Sequence, residues 1–137
     1  MSAQQYIKPL PDIHPETAGF WQAAKKHKLV CQKCMSCGQK IYFPRLMCYD
    51  CFSSELEWIP STGLGTVYSY TIIHQPAIES FAAEKHYVYA IIELNEGVRM
   101  ISNIINIEPS KVRIGMKVSV TFEDATTDIS IPRFEPC

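Results

Sequence analysis

Hydrophobic and polar positions divide the chain into three textures. Up to Pro15 the sequence is interrupted by Pro9, Pro11 and Pro15, which denies a helix and predicts an extended arm. From Pro15 the pattern turns helical. Phe20, Trp21, Ala23 and Ala24 make an apolar stripe, Glu16 suits the positive end of the helix dipole, and Lys25, Lys26, His27 and Lys28 suit the negative end. The helix is expected to run from about Pro15 to about Lys28. Leu29–Lys33 and Gln39–Phe43 then read as short strands, and Leu56–Ile59 as a third that leads into the next region.

From Ser61 onward, alternation of period two takes over. Gly63-Leu-Gly65 predicts a turn or bulge. Thr66–His74 predicts a long strand with Val67, Ser69, Thr71 and Ile73 on one face and Tyr68, Tyr70, Ile72 and His74 on the other. Both faces are half apolar, as in a curved strand whose inward side changes along its length. Gln75–Lys85, with Pro76, reads as a loop. Tyr87–Leu94 and Val98–Ile107 form a hairpin around Asn95-Glu-Gly97. Glu108-Pro-Ser-Lys is a helical turn, and Met116–Glu123 and Ile129–Phe134 are the last strands. Five strands, a hairpin at the second and third and a helical crossover before the fourth predict a C-terminal OB-fold Greek-key barrel, with an SH3-like barrel as the rival. The fold class is mainly β: an arm and N-terminal helix over 1–28, a ribbon over 29–60 and the barrel over 61–137.

The ribbon carries the clearest chemistry. Cys34-Met-Ser-Cys37-Gly38 and Cys48-Tyr-Asp-Cys51 are two Cys-x-x-Cys knuckles on a short connection. Four thiolates so spaced can close a tetrahedral shell around one soft divalent ion, and zinc asks for that geometry without redox chemistry. Cys31 also stands three residues before Cys34, but Gly38 selects Cys34 and Cys37 as the first knuckle, because a glycine there lets the backbone turn its N–H groups toward the sulfurs. Cys31 is then a small buried apolar residue on the strand entering the ribbon. A pair of disulfides and a redox Cys-x-x-Cys are the competing readings of the knuckles. A ribbon this small is expected to fold only with its metal.

Composition narrows the remaining classes. With 137 residues, 47% of them apolar, the chain can bury a core. The formal net charge of −1 offers no basic face for nucleic acid and no attraction to an anionic membrane. Apolar runs such as Tyr87–Ile92 are too short to cross a bilayer. The N-terminus, Met1-Ser-Ala-Gln-Gln before the prolines, lacks the apolar core of a secretory signal, so a cytoplasmic location is expected.

Catalytic signatures do not emerge. There is no Gly-x-Ser-x-Gly elbow, no phosphate-binding glycine loop and no His-Glu-x-x-His motif. His14, His27, His74 and His86 are dispersed; His74 is the most interesting, at a strand end beside the longest loop. Glu123-Asp124 reads as a solvated strand end and Cys137 as an incidental terminal thiol. A four-thiolate zinc shell has no open position for water, so the metal is expected to be structural.

One ordered set of motifs spans the chain from Gly19 to Phe134. It comprises Gly19-Phe-Trp-Gln-Ala-Ala, Leu29-Val, Cys34-x-x-Cys37-Gly38, Phe43-Pro44-Arg45, Cys48-x-x-Cys51, Gly65-Thr-Val-Tyr-Ser-Tyr-Thr71 and Ile114-Gly115-Met116. Together they resemble the zinc-ribbon/OB-fold accessory subunits of acyl-CoA-processing enzymes, whose ribbon is rubredoxin-like. The resemblance implies no chemistry of the chain's own. It implies a partner, either a thiolase-fold enzyme (a thiolase, hydroxymethylglutaryl-CoA synthase or a sterol-carrier-type thiolase or aldolase) or a hot-dog-fold acyl-CoA hydratase. It further implies that the subunit completes the groove for the CoA thioester, stabilises the catalytic chain or ties successive enzymes together. By carry-over, Cys34, Cys37, Cys48 and Cys51 are the zinc ligands. This sequence departs from the pattern in having no glycine after Cys51 and an added thiol at Cys31.

The expectation that follows is a non-catalytic zinc-binding subunit of a thiolase-type acyl-CoA complex, in a hetero-oligomer. An accessory subunit of a hydratase or aldolase is the alternative within that class. Tyr68 and Tyr70, with Tyr87 and Tyr89, could stack on an adenine ring or pack in the barrel and its interfaces. Arg133 could fork a CoA phosphate or a partner carboxylate. Outside that class stand a nucleic-acid-binding zinc-ribbon/OB module, whose affinity would fall steeply with salt, and a small iron redox protein, which would be coloured.

Overall fold

The computed structural model describes residues 6, 8–74 and 86–137. The loop expected over 75–85 lies outside the described residues. The elements run in the order α1 (Ala18–Lys25), β1 (Val30–Cys34), β2 (Lys40–Ile41), β3 (Leu56–Pro60), β4 (Leu64–Ile73), β5 (Tyr87–Leu94), β6 (Arg99–Ile104), a 3₁₀ turn (Pro109–Lys111), β7 (Lys117–Asp124) and β8 (Ser130–Pro136).

The helix is shorter than its pattern suggests, and each end has a local cause. Pro15 and Glu16 are taken up by a turn in which both the N–H and the hydroxyl of Thr17 donate to the carbonyl of His14. The first helical bond therefore runs from the Trp21 N–H to the Thr17 carbonyl. At the other end His27 adopts φ 58°, its N–H bonding to the Ala24 carbonyl and the Lys28 N–H to the Ala23 carbonyl. That double bond pattern is a Schellman cap, normally made with glycine, and it stops the helix before Lys28.

β1 lies at the centre of a small antiparallel sheet in the order β2-β1-β3. The remaining strands close a barrel in the order β4-β5-β6-β8-β7, with β7 returning to β4. Counted within the barrel this is 1-2-3-5-4, and the one parallel pairing among the described residues is Ile104 with Phe134. Strand order and that parallel contact identify the OB Greek key over the SH3-like alternative. Strict alternation misassigns the faces of β4. The β4–β5 register shifts between Val67 and Ser69, which leaves Tyr68 as a bulged extra residue. Tyr68 is exposed, whereas Tyr70 turns inward and packs against the core.

One continuous core joins the pieces. Phe20 of the helix and Leu29 and Cys31 at the base of the ribbon cluster with Val67, Val88, Ala90, Ile92, Met100, Val118 and Phe134 of the barrel. The outer ribbon has only a small cluster, Cys34, Ile41 and Cys48 with Leu56 against it. No helix among the described residues is long and apolar enough to cross a membrane.

Candidate metal centre and the adjoining cleft

A tight turn follows each knuckle, although the sequence supplies the glycine only after the first. The Gly38 N–H bonds to the Cys34 carbonyl at 2.9 Å, with Gly38 at φ +80°. The Phe52 N–H bonds to the Cys48 carbonyl at 3.0 Å, with Phe52 at φ 63°. The second knuckle thus copies the first without the glycine. The Ser36 and Ser53 hydroxyls meet at 2.8 Å and join the two loops.

The turns bring all four sulfurs within 4.8 Å of one another. The Cys34 and Cys51 sulfurs are 3.5 Å apart and those of Cys37 and Cys48 are 3.7 Å apart. Zinc holds thiolates at about 2.3 Å, which sets a tetrahedral edge of about 3.8 Å. The donor set fits that edge, and the cysteines are free thiols, not disulfides. Backbone N–H groups point at the sulfurs, as that of Asp50 does toward Cys48 at 3.4 Å. The N–H of Cys37, and more weakly that of Ser36, pull the Cys34 thiol down to about 6 against the opposing effect of burial. Cys31 behaves in the opposite way: burial, reinforced by the charge of Glu96, pushes its thiol up to about 11. Cys31 packs in the main core and is not a ligand.

A buried amide fixes the connection between the knuckles. Gln32 on β1 accepts from the Arg45 N–H at 2.8 Å and donates to the Arg45 carbonyl at 3.1 Å. Beside it, a cleft of about 420 Å³ opens between ribbon and barrel, lined in part by Lys40, Tyr42, Phe43, Arg45, Tyr49 and Arg99. Its neighbour, about 250 Å³, shares Tyr42 and Phe43 and adds Trp21, Tyr89 and Ile101. The two form a groove that is cationic at one end and aromatic at the other. Arg45 lies 5.5 Å from the Tyr49 ring centroid and Arg99 only 3.7 Å from that of Tyr68. Sequence alone does not reveal this groove, because its cations come from β2, the knuckle connection and β6.

Tyr68, Tyr70 and Arg133 do not assemble into one site. Tyr68 stands outside under Arg99, and Tyr70 is turned toward the core. Arg133 is 7% exposed, and its Nε meets Glu123 Oε2 at 2.7 Å across β7 and β8. His74 and His86, dispersed in sequence, are adjacent in space, with their Nδ1 atoms 3.0 Å apart. The β4–β5 register explains this. Ile73 pairs with Tyr87, so the next residues outward, His74 and His86, also stand opposite each other.

Comparison with known proteins agrees with this architecture. Residues 21–57 match the model of the rubredoxin-like zinc ribbon domain of ChsH2, and residues 58–123 that of the ChsH2 C-terminal OB-fold domain. A probable enoyl-CoA hydratase alpha subunit of Thermomonospora curvata is 35% identical over 95% of this chain, which spans 40% of that protein's length. The benzoylsuccinyl-CoA thiolase subunit BbsA of Geobacter metallireducens is 32% identical over 69% of this chain and 64% of its own. Among solved structures, the Ltp2-ChsH2(DUF35) aldolase superposes with a TM-score of 0.83 at 35% identity, covering 93% of this chain and 98% of that one.

Proposed function

The chain belongs to the DUF35 family, zinc-ribbon/OB-fold proteins of the ChsH2 type, and from that membership we propose that it is a non-catalytic subunit of an acyl-CoA enzyme complex. The observation that carries this reading is the metal centre. Four thiolates at tetrahedral spacing leave a bound zinc no open position, so the ion orders the ribbon. Cys34, Cys37, Cys48 and Cys51 hold it, and their backbone N–H contacts fix the thiolates.

What the ordered ribbon offers is a surface. Met35, Leu46, Met47, Tyr49 and Phe52 all expose large apolar side chains around the knuckles. Phe52 is 71% exposed and held in the left-handed region, which costs a non-glycine residue about 1–2 kcal/mol. A strained, solvent-facing aromatic ring where glycine would be easier supports a docking role. The catalytic partner we favour is a thiolase-fold enzyme, a reading supported by the relative that is a subunit of a benzoylsuccinyl-CoA thiolase. The hydratase relative, aligned over 95% of this chain, supports a hydratase as the second reading. The groove beside the knuckles, with Lys40, Arg45 and Arg99 at one end, faces the CoA phosphates in this reading, and Tyr68 flanks it through Arg99.

The experiment is co-expression of the chain with a thiolase-fold enzyme or with an acyl-CoA hydratase, followed by gel filtration and turnover assays. A stable complex active only when both chains are present is expected, with the isolated chain inert. Turnover by the isolated zinc-loaded chain overturns the reading. Phe52→Gly should weaken the complex while raising the melting temperature of the isolated chain, since it removes the backbone strain and a docking ring together.

A further inference from the structure

We propose that His74 and His86 form a second metal site, a cross-strand chelate for a borderline divalent cation such as Ni²⁺ or Cu²⁺, independent of the four-thiolate centre. The two residues extend the β4–β5 pairing by one position beyond Ile73 and Tyr87, so the backbone ladder holds their side chains opposite each other. Both are exposed, their ring centroids are 4.7 Å apart at 65°, and Nδ1 faces Nδ1 at 3.0 Å.

In the metal-free protein the two rings share a hydrogen bond, one Nδ1–H donating to the other Nδ1, and a cation would take the place of that proton. An imidazole nitrogen sits about 2.0–2.1 Å from such an ion, so cis donors at a right angle are about 2.9 Å apart and tetrahedral donors about 3.3 Å apart. The observed spacing lies between the two edges, so the pair can supply two cis ligands to such an ion. Among the described residues no third histidine, cysteine or carboxylate joins the pair, so the two imidazoles are its described protein ligands. Imidazole nitrogens rank these ions in the order Co²⁺, Ni²⁺, Cu²⁺, with Zn²⁺ below Cu²⁺.

The other histidines lack such a partner. His27 is engaged with Asp124 at 2.7 Å, and the His14 ring makes no described contact with another imidazole. A bound cation would pin the open ends of β4 and β5 together, so occupancy should appear in stability as well as in spectra.

The test uses the full zinc-loaded chain and Ni²⁺ as the probe, because nickel does not oxidise the free thiols. Calorimetric titration should show one saturable site, broadening of the His74 and His86 ring protons in the NMR spectrum and a rise in melting temperature, with zinc fully retained. His74→Ala and His86→Ala should each weaken binding by on the order of 10²-fold through loss of the chelate. His27→Ala should leave it unchanged. Absence of saturable binding, its survival in both single variants, or displacement of zinc by nickel each overturns the proposal.

Discussion

Gly19 lets helix α1 lie directly against Trp58 of β3. A Cβ added there would come within 2.6 Å of the indole ring, with nothing but aromatic framework to give way. Gly19→Ala should cost about 1–3 kcal/mol, read from the midpoint of denaturant unfolding. At the far end of the same helix, His27 stacks on Phe122 at 5.2 Å and bonds to Asp124 at 2.7 Å, which is also held by the Ser130 hydroxyl. The Ser130 hydroxyl first, and His27 second, hold the Asp124 carboxyl below its ordinary value. A depressed carboxylate contributes stability that is fully present above its unfolded value, about 3.9, and is lost as pH falls through the folded one. Asp124→Asn should therefore be less stable than the parent at neutral pH. The gap should close on acidification below about 4, as followed by thermal melts across pH.

At the scale of elements, most of the architecture was legible. β5 is legible with its observed bounds, Tyr87–Leu94, because Val88, Ala90, Ile92 and Leu94 are buried in strict alternation. The 3₁₀ turn at Pro109–Lys111 was legible from Pro109. The knuckles were legible because metal ligation imposes a spacing that propensity does not. Three features were not fully so. The stop of α1 rests on a histidine doing what glycine usually does. The bulge at Tyr68 was legible only in part: two half-apolar faces signal that the inward side of β4 changes along its length, but not at which residue. The groove and the His74–His86 pair depend on strand register, so their residues are neighbours only once the sheet exists. Arg133 illustrates the same limit: its guanidinium was a candidate for a phosphate or a partner carboxylate, and the carboxylate it meets in this chain, Glu123, is set by the β7–β8 pairing. Between the elements stability is uneven. With only Cys34, Ile41, Cys48 and Leu56 packed in the outer ribbon, zinc removal should melt that part first. Chelation is expected to release the ribbon's amides to rapid hydrogen exchange while those of β5 stay protected.

Across the whole molecule the barrel seals on Phe134. Its residue pairs with Ile104 on one side and Val120 on the other, and its ring is fully buried. Phe134→Ala should cost about 3–5 kcal/mol, measured by calorimetric melting of the zinc-loaded chain, because the cavity lies where three strands meet. The tip of the β5–β6 hairpin makes a different kind of link. Glu96 accepts hydrogen bonds from the Ser61 and Thr62 hydroxyls and from the Thr62 N–H, at the crossing from ribbon to barrel. That carboxylate is a strut across an elbow. Whatever grips the knuckles thereby gains leverage over the entire cylinder, and loosening the strut would leave both ends intact while severing the mechanical conversation between them.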